Sequence, residues 1–333
     1  MKEGKIPPEL LKSLVFNNIR VRNSEVLLRP EIGEDCAAID FGSYACVLST
    51  DPITAAVKGA GALAIHISCN DVATSGLRPV GIMVTILAPP EVTEDDIRVV
   101  MEEAGEAAAK LGVEIIGGHT EITSAVNRIV ISTTALGKVL KDKIVRSSGA
   151  QSGDDVIMTK WAGLEGTSII AADNEKELLG KLSREELETA KAFIDHISVV
   201  EEGVTAGEYG ANSMHDVTEG GILGAAWEIA ESSDKGIEVF IDEIPVMPVT
   251  QKICDLYDID PYRLISSGSM LITAKNGTGL VALLGSKGIP AAIIGRITEK
   301  GRFIYRKGEK LPLAPPDVDE LFKAGANKNL GTK

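Results

Sequence analysis

The stretch HISCNDVATSG, residues 66–76, decides how this chain is interpreted, because it places Asn70 next to Asp71 among apolar residues. Apolar residues recur there at roughly helical spacing. Gly76, with a proline a few residues beyond it, is typical of a helix end. The pattern therefore predicts a helix over residues 61–75 that carries an amide and a carboxylate for which an apolar core has no obvious use.

The composition is that of a soluble globular protein with a strongly acidic balance. The chain has 333 residues, of which 44% are hydrophobic and only 4% aromatic, so small aliphatic side chains must fill its core. That length allows two ordinary domains. The formal net charge of −14 argues against nucleic acid or a membrane as a partner, because both require a basic surface. The acidic charge does not exclude nucleotide binding, because carboxylates hold a triphosphate through Mg²⁺.

The expected location follows from what the sequence lacks. Its 4 cysteines show no C-x-x-C spacing, which fits a reducing cytosol better than a disulfide framework. The N-terminus has no apolar signal-peptide region, and no apolar run reaches the roughly 18 residues of a membrane span. We therefore expect a cytoplasmic protein without a transmembrane segment.

The remaining pattern alternates strands and helices in two halves. Residues 80–87 predict a strand, and Thr93, with an aspartate one helical turn later, predicts a helix that begins in a capping box. The polar, glycine-containing segment 141–155 is the best domain boundary. We expect an α+β protein with a mixed rather than all-parallel arrangement, divided into residues 1–150 and 151–333.

The most informative stretch of the second half is HDVTEGGILGAAWEIAE, residues 215–231. A strand delivers Asp216 to a turn, and Gly220 and Gly221 open an alanine-rich helix whose free N–H groups would face an anion. The alternative is an ordinary strand-to-helix turn. Neither a P-loop nor a dinucleotide-binding glycine fingerprint occurs in the chain, so those motifs give nucleotide binding no support.

Acidic residues recur at turns along the whole chain. Each of them alone can be a turn former, an exposed helix residue or an N-cap. Several adjoin glycines or other small residues, where a backbone can approach a phosphate closely. Oxygen ligands from separate segments also suit Mg²⁺ held jointly with substrate phosphates. These residues are Asp35, Asp51, Asp71, Glu121 and Asp216.

Histidines and lysines add weaker candidates. His66, His119 and His215 each stand near a carboxylate, but no spacing of the kind H-x-x-x-H supports a zinc site. Two roles are open for His119 and His215. Either histidine can act as a general acid or base, or it can hold another side chain in position. Lys58 and Lys160 are candidates for phosphate contact, with a solvated lysine as the alternative.

Five segments together resemble the AIR synthase-like (PurM-like) superfamily. Its motif G-[DE]-D-A-A-[VI] is similar to GEDCAAI, and four other segments are similar to further motifs of the superfamily in the same order. The resemblance covers roughly residues 30 to 300, nearly the whole chain. The segments are GEDCAAI (33–39), STDPI (49–53), HISCNDVATSGLRPVGIMVTI (66–86), GGHTEI (117–122) and HDVTEGGI (215–222).

The resemblance implies an AIR synthase-like α+β fold of two domains. The N-terminal mixed α/β domain would pair with a twin to form a dimer β-barrel, and the C-terminal domain would be an α+β sandwich. ATP with Mg²⁺ would bind between the two domains of each chain in a homodimer. The candidate residues are Asp71, His119 and Asp216 for catalysis; Asn70, Gly117, Gly118, Thr120, Gly220, Gly221 and Lys58 for the cofactor; and Asp35, Asp51, Asp71 and Glu121 for the metal.

Departures from the superfamily's motifs favour one branch. AIR synthase carries a G-V-G-T-K motif where this chain reads PITAAVKGAG (52–61), which disfavours purine synthesis. The segments SSGSMLI (266–272) and HDVTEGGI are closest in style to the hydrogenase expression/formation protein HypE. HypE ends in a cysteine that bears a carbamoyl group, whereas the last cysteine of this chain is Cys254.

We therefore expect an AIR synthase-related, HypE-like enzyme. The chemistry of the superfamily usually places the γ-phosphoryl group of ATP on an amide-type oxygen. Hydrogenase maturation is then the nearest role, and the substrate is an amide on a small molecule or on a partner. Such transfer requires mainly positioning and cations that offset phosphate charge. The alternatives are a small-molecule kinase or ligase of the thiamine-phosphate or purine type, and a non-catalytic ATP-binding dimer.

Overall fold

The computed structural model describes residues 6–54 and 59–327, and for residues 325–327 only the backbone. Two mixed sheets divide the described chain into two α+β units, which confirms the predicted fold class. Every helix in the described part of the chain is too short or too polar to span a bilayer.

The N-terminal unit is a six-stranded sheet with two long helices packed on one face. The strand order is β1-β2-β3-β6-β4-β5, in which β4 and β5 run parallel and the other neighbours antiparallel. The strands are β1 (Val26–Leu28), β2 (Ala37–Phe41), β3 (Tyr44–Ile53), β4 (Pro79–Ala88), β5 (Glu114–Ile122) and β6 (Val130–Leu140), and the helices are α1 (Pro8–Leu14), α2 (Ala60–Thr74) and α3 (Glu94–Leu111).

The C-terminal unit is a seven-stranded sheet in the order β13-β12-β9-β11-β7-β10-β8, with β9 and β12 parallel. Its strands are β7 (Asp155–Thr159), β8 (Ser213–Asp216), β9 (Gly236–Phe240), β10 (Met270–Ala274), β11 (Ala291–Thr298), β12 (Arg302–Arg306) and β13 (Glu309–Pro312). Its helices are α4 (Leu164–Asp173), α5 (Glu175–Leu178), α6 (Arg184–Ala192), α7 (Val200–Tyr209), α8 (Gly221–Ser232), α9 (Pro248–Tyr257), α10 (Gly277–Ser286) and α11 (Glu320–Asn327).

The helix predicted in the opening stretch and the capping box predicted at Thr93 are confirmed. The helix predicted over residues 61–75 is α2, and Gly76, which follows its C-cap residue, has a positive φ of 82°. Thr93 begins α3 in a full capping box, with its hydroxyl accepting from the Asp96 N–H and its own N–H donating to the Asp96 carboxylate. Helix α7, the β12–β13 hairpin and α11 have no counterpart in the sequence interpretation.

Helix α2 is buried on almost every side and contributes to two hydrophobic cores. Ile65 and Val72 pack in the core of the N-terminal unit, whereas Leu63 and Ile67 pack in a cluster formed mostly by the C-terminal unit. The helix contacts β3, β6 and α3 on one side, and α7 and β8 on the other. A helix that is apolar all round belongs in an interior. Helix α2 therefore joins the two units.

Two glycines allow α7 to approach α2 closely. A Cβ added to Gly203 would lie 2.2 Å from the carbonyl oxygen of Ala73, and one added to Gly207 would lie 2.6 Å from the Cα of Gly76. Residues four apart lie on one face of a helix, so the two glycines form a single flat contact surface. A side chain at either position would force the two units apart.

Asn70 completes the junction from the middle of α2. Its Nδ2 donates to the carbonyl oxygen of Ile197 at 2.8 Å, and its Oδ1 accepts from the N–H of Val199 at 2.9 Å. An amide offers both a donor and an acceptor, so it can satisfy both backbone groups of the buried loop that precedes α7. Asn70, which is fully buried, therefore docks the C-terminal unit on α2.

Gly203→Ala should destabilise the protein, because the added methyl group meets backbone atoms that cannot rotate away. We expect the free energy of unfolding to fall by about 2 kcal/mol or more, as for overpacked cores. Urea unfolding followed by circular dichroism measures the change. Gly105→Ala on α3 is the control, since a Cβ there meets nothing within 4 Å, and it should be neutral or stabilising by about 0.5 kcal/mol. Equal effects of the two substitutions would contradict the close approach.

Candidate functional site

Four acidic side chains from both units gather beside the C-terminal half of α2. Asp35 lies on the loop before β2, Asp51 on β3, Asp71 on α2 and Asp216 at the end of β8. The carboxylates of Asp35, Asp51 and Asp216 all act electrostatically on Asp71. The structure therefore brings together three of the four predicted metal ligands with the acid predicted from the second unit.

Strand geometry explains why Asp51 faces this cluster. Ser49 points toward α2, where its hydroxyl donates to the Asp71 carboxylate at 2.6 Å. Alternate residues of a strand point to the same face, so Asp51 points to that face as well. The position of Asp51 in the segment STDPI thus decides which side of the sheet its carboxylate occupies.

Burial and like charge both act against ionisation of the acids in and beside this cluster. Burial, followed by the charges of Asp216, Asp51 and Asp35, raises the pKa of Asp71 well above its usual range. Burial, followed by the charge of Asp35, likewise raises the pKa of Glu34 to about 8. Such a site keeps a proton at neutral pH. Because its donors are hard oxygens, a divalent cation such as Mg²⁺ fits the chemistry of the cluster in place of that proton.

His215 lies at the edge of the cluster between two further carboxylates. Its Nδ1 is 2.7 Å from Oδ1 of Asp35, and its Nε2 is 2.9 Å from Oε2 of Glu228 on α8. Burial alone would lower the pKa of His215, but these two carboxylates outweigh it and hold the pKa well above the usual range. One ring nitrogen of His215 and oxygens of Asp35 and Asp216 all lie within 4.8 Å of one another.

His119 and Glu121 lie elsewhere, on the edge strand β5. Val84 is buried on the helix-covered face, and Gly118 is its register partner on β5. Since alternate residues change face, His119 and Glu121 point to the opposite face, where their side chains approach to 3.5 Å. Both are more than half exposed, at 66% and 54%. Within a single chain, neither joins the acidic cluster.

Gly118, predicted to bind the cofactor, has a packing role on β5. A Cβ on Gly118 would lie 1.8 Å from the carbonyl oxygen of Val84, so the parallel pairing with β4 requires glycine there. Gly118 is also three strands away from Asp51, roughly 14 Å at the usual strand spacing. Gly117 and Thr120 are exposed on the same strand. These three residues lie near His119 rather than near the cluster.

The N-terminus of α8 differs from its predicted state. The N–H of Gly220 donates to Oδ2 of Asp319 at 2.7 Å, and the N–H of Gly221 donates to the Thr218 carbonyl oxygen at 3.1 Å. Burial raises the pKa of Asp319 to about 6. A carboxylate from residue 319 of the same chain thus occupies the helix N-terminus, contrary to the prediction that these N–H groups are free for an anion.

Of three other candidates, two bind groups of the protein itself and the third is not described. Both polar atoms of the Asn70 side chain are engaged at the junction, which leaves none for a cofactor. Lys160 donates to three backbone carbonyl groups and pairs with Glu202 at 2.5 Å, so its ammonium group holds loops together rather than reaching a phosphate. Lys58 lies outside the described residues.

Sequence interpretation missed several buried acids. Glu165, in the first turn of α4, is only 4% exposed, and its Oε2 has no hydrogen-bond partner. Burial raises the pKa of Glu165 to about 7. Nothing in its local segment, WAGLEGT (161–167), shows that this glutamate is buried. Glu34 and Glu228 were missed for the same reason, because nothing in their local pattern shows which buried residues they meet.

Two α+β units with mixed sheets and an acidic cluster at their junction define a two-domain class of α+β protein. Residues 33–139 match the family described as AIR synthase related protein, N-terminal domain, and residues 151–307 match AIR synthase related protein, C-terminal domain. The chain belongs to the AIR synthase related family. The resemblance carried by the five sequence segments is thereby confirmed.

Relatives known from sequence lie in the HypE-like branch of this family, as the motifs predict. A putative hydrogenase expression/formation protein of Methanocaldococcus jannaschii is 29% identical over 277 residues, which are 82% of this chain and 80% of that protein. The carbamoyl dehydratase HypE of Bradyrhizobium diazoefficiens is 27% identical over 257 residues, which are 75% of this chain and 72% of that protein.

Solved structures share the fold. A chain of a HypE–HypF complex superposes with a TM-score of 0.77 at 21% identity, covering 92% of this chain and 99% of that one. HypE in complex with ATP superposes with a TM-score of 0.67 at 21% identity, covering 97% of both chains. At these identities the likeness establishes the architecture, which agrees with the two-domain fold described above.

Glu165→Gln should change how stability depends on pH. The folded pKa of about 7 lies above the ordinary value of 4.5, so wild-type stability is fully present at low pH and is lost as the pH rises through 7. The glutamine variant lacks this loss. Its free energy of unfolding relative to wild type should therefore rise by about 2 kcal/mol between pH 5 and 8. Urea unfolding across that range measures the difference.

The control for this series is Glu185→Gln, which removes an exposed carboxylate on α6. Its stability curve should run parallel to that of wild type. A parallel curve for Glu165→Gln as well would show that burial does not perturb this carboxyl group.

Proposed function

We propose that the chain is an ATP- and Mg²⁺-dependent enzyme that transfers the γ-phosphoryl group to an amide-type oxygen, with a HypE-like role in hydrogenase maturation. The observation that carries the proposal is the buried carboxylate cluster where the two units meet. Asp35, Asp51, Asp71 and Asp216 would hold the metal, and Mg²⁺, when bound, supplies positive charge that offsets the charge of nucleotide phosphates.

The likeness to known proteins supports this choice of reaction. A solved HypE of the same fold is in complex with ATP. Relatives are named carbamoyl dehydratases, and a carbamoyl group contains an amide-type oxygen. We infer that the amide is presented by a small molecule or by a partner protein. The solved HypE–HypF complex favours a partner protein over a small molecule as the carrier of the amide.

Asp71→Asn should weaken Mg–ATP binding without weakening the fold. Burial and like charge already oppose ionisation of Asp71, so a neutral amide of the same size should leave the apo variant as stable as wild type or more stable. We expect the Kd for Mg–ATP, measured by titration calorimetry, to rise at least 10-fold, comparable to the loss of one ligand or its support. Asp173→Asn, an exposed aspartate at the end of α4, is the matched control.

The result that would overturn the proposed function is an absence of heat when wild-type protein is titrated with Mg–ATP. Unchanged affinity in Asp71→Asn would remove Asp71 from the metal site. A loss of affinity that accompanied a lower unfolding midpoint would point to misfolding rather than to lost ligation.

A second copy of the chain is the proposed partner at strand β5. This strand ends the N-terminal sheet, and nearly all its side chains are exposed. Ile116 and Ile122 are 50% and 51% exposed there. An open sheet edge with exposed apolar side chains favours pairing with another chain. We place His119 and Glu121 at this interface. The family resemblance, which implies a dimer barrel, supports the same surface.

Ile116→Lys should convert the proposed dimer into a monomer, because a charge on an edge strand opposes strand pairing. Sedimentation velocity would then show one chain of 35.2 kDa in place of two. Val99→Lys on α3 is the control, since Val99 is equally exposed at 51% but lies on a helix rather than on the edge strand. A wild-type protein that sediments as a monomer at tens of micromolar would contradict the interface.

A further inference from the structure

His215 is held from both sides inside the junction of the two units. Strand β8 places it directly before Asp216, and its side chain is only 6% exposed. Nδ1 lies 2.7 and 2.8 Å from the two oxygens of Asp35, while Nε2 lies 2.9 Å from Glu228. The ring is therefore fixed in position and in rotation about its axis.

These contacts prevent the ring from serving as a metal ligand. A histidine ligates through a nitrogen lone pair, but each ring nitrogen here faces a carboxylate oxygen at 2.7 to 2.9 Å, which leaves no room for a cation between them. The imidazole thus orients a carboxylate of the cluster without being a metal ligand itself. Histidines and carboxylates that orient metal ligands in this manner are a recurrent feature of metal sites.

The contact between His215 and Asp35 crosses the junction. Asp35 belongs to the N-terminal unit, 180 residues away in the sequence, whereas His215 and Glu228 belong to the C-terminal unit. The loop that carries Asp35 also packs against α8, because a Cβ on Gly33 would lie 2.9 Å from the Glu228 carbonyl oxygen. The orientation of Asp35 therefore depends on elements of the other unit.

We propose that His215 is a positioning residue that fixes the Asp35 carboxylate for a divalent cation, with Glu228 holding the ring, so that cation affinity depends on docking of the two units. This inference rests on the proposed metal and nucleotide site. Nδ1 lies nearly midway between the two Asp35 oxygens, so it orients the carboxylate plane and leaves an outer lone pair on each oxygen for the cation.

Three variants separate this role from simple packing. His215→Phe keeps a ring of similar size but removes both hydrogen bonds. His215→Gln keeps an amide donor that can reach Asp35, and Glu228→Gln keeps an acceptor for Nε2. His196→Asn, at an exposed histidine away from the cluster, is the control. Urea unfolding of each variant establishes that it is folded under the conditions of the binding measurements.

Two probes give the readout: Mn²⁺ alone, followed by electron paramagnetic resonance of the free ion, and Mg–ATP, followed by calorimetry. We expect His215→Phe to weaken Mn²⁺ binding by about 10- to 100-fold. His215→Gln should recover part of that loss, Glu228→Gln should show a smaller loss, and His196→Asn should match wild type. A merely structural role would lower the unfolding midpoint while leaving the affinity of the folded protein unchanged.

Each outcome bears on one proposal or on both. A folded His215→Phe that binds Mn²⁺ as tightly as wild type would overturn the positioning role and leave the proposed function intact. If His215→Phe does not fold, wild-type affinity in both glutamine variants, each of which breaks one charged contact, would overturn it instead. A wild-type protein that binds neither Mn²⁺ nor Mg–ATP would overturn the site and, with it, this role.

Discussion

Helix α2 has almost no solvent-exposed side, and this burial organises the molecule. One side completes the core of the N-terminal sheet, and the other packs on α7 and β8 of the C-terminal unit. Asn70 and Asp71 are adjacent on this helix, so they point about 100° apart. A buried amide needs partners for both of its ends, and a buried carboxylate needs compensation for its charge. The two residues therefore dock the units and build the acidic cluster from one turn of one helix.

The cluster is unfavourable for the chain alone, and this is an argument for function. Burial and like charge both act against ionisation of Asp71, whereas a well-packed apolar side chain there would meet neither cost. Perturbed carboxyl groups concentrate at sites that bind or react. His215 contacts the cluster from one side, where it faces Asp35 and Glu228. A bound cation would add positive charge on the side of Asp71, where burial and like charge oppose ionisation.

Local chemistry was predictable from the sequence, and long-range partners were not. The capping box at Thr93 and the helix end at Gly76 depend on neighbours within a turn, so the pattern predicted them correctly. Each acidic candidate was selected from the motif of its own segment, although Asp51 lies on β3 and Asp71 on α2 rather than at turns. The occupation of the α8 N-terminus by Asp319 involves residues 99 apart, which no local pattern contains. The face of the sheet to which His119 points depends on the register of β5 against β4. Sequence spacing alone does not show that register.

The division of the cluster between two units has a thermodynamic consequence. Asp35, Asp51 and Asp71 come from one unit and Asp216 from the other, and the junction between them depends on the Asn70 amide and on the close approach at Gly203. A ligand that binds only the docked arrangement stabilises that arrangement by its own binding free energy. By the same linkage, any change that weakens docking must weaken ligand binding. Domain packing and site chemistry are thus one equilibrium in this fold, because the residues that serve them are neighbours on the same helix.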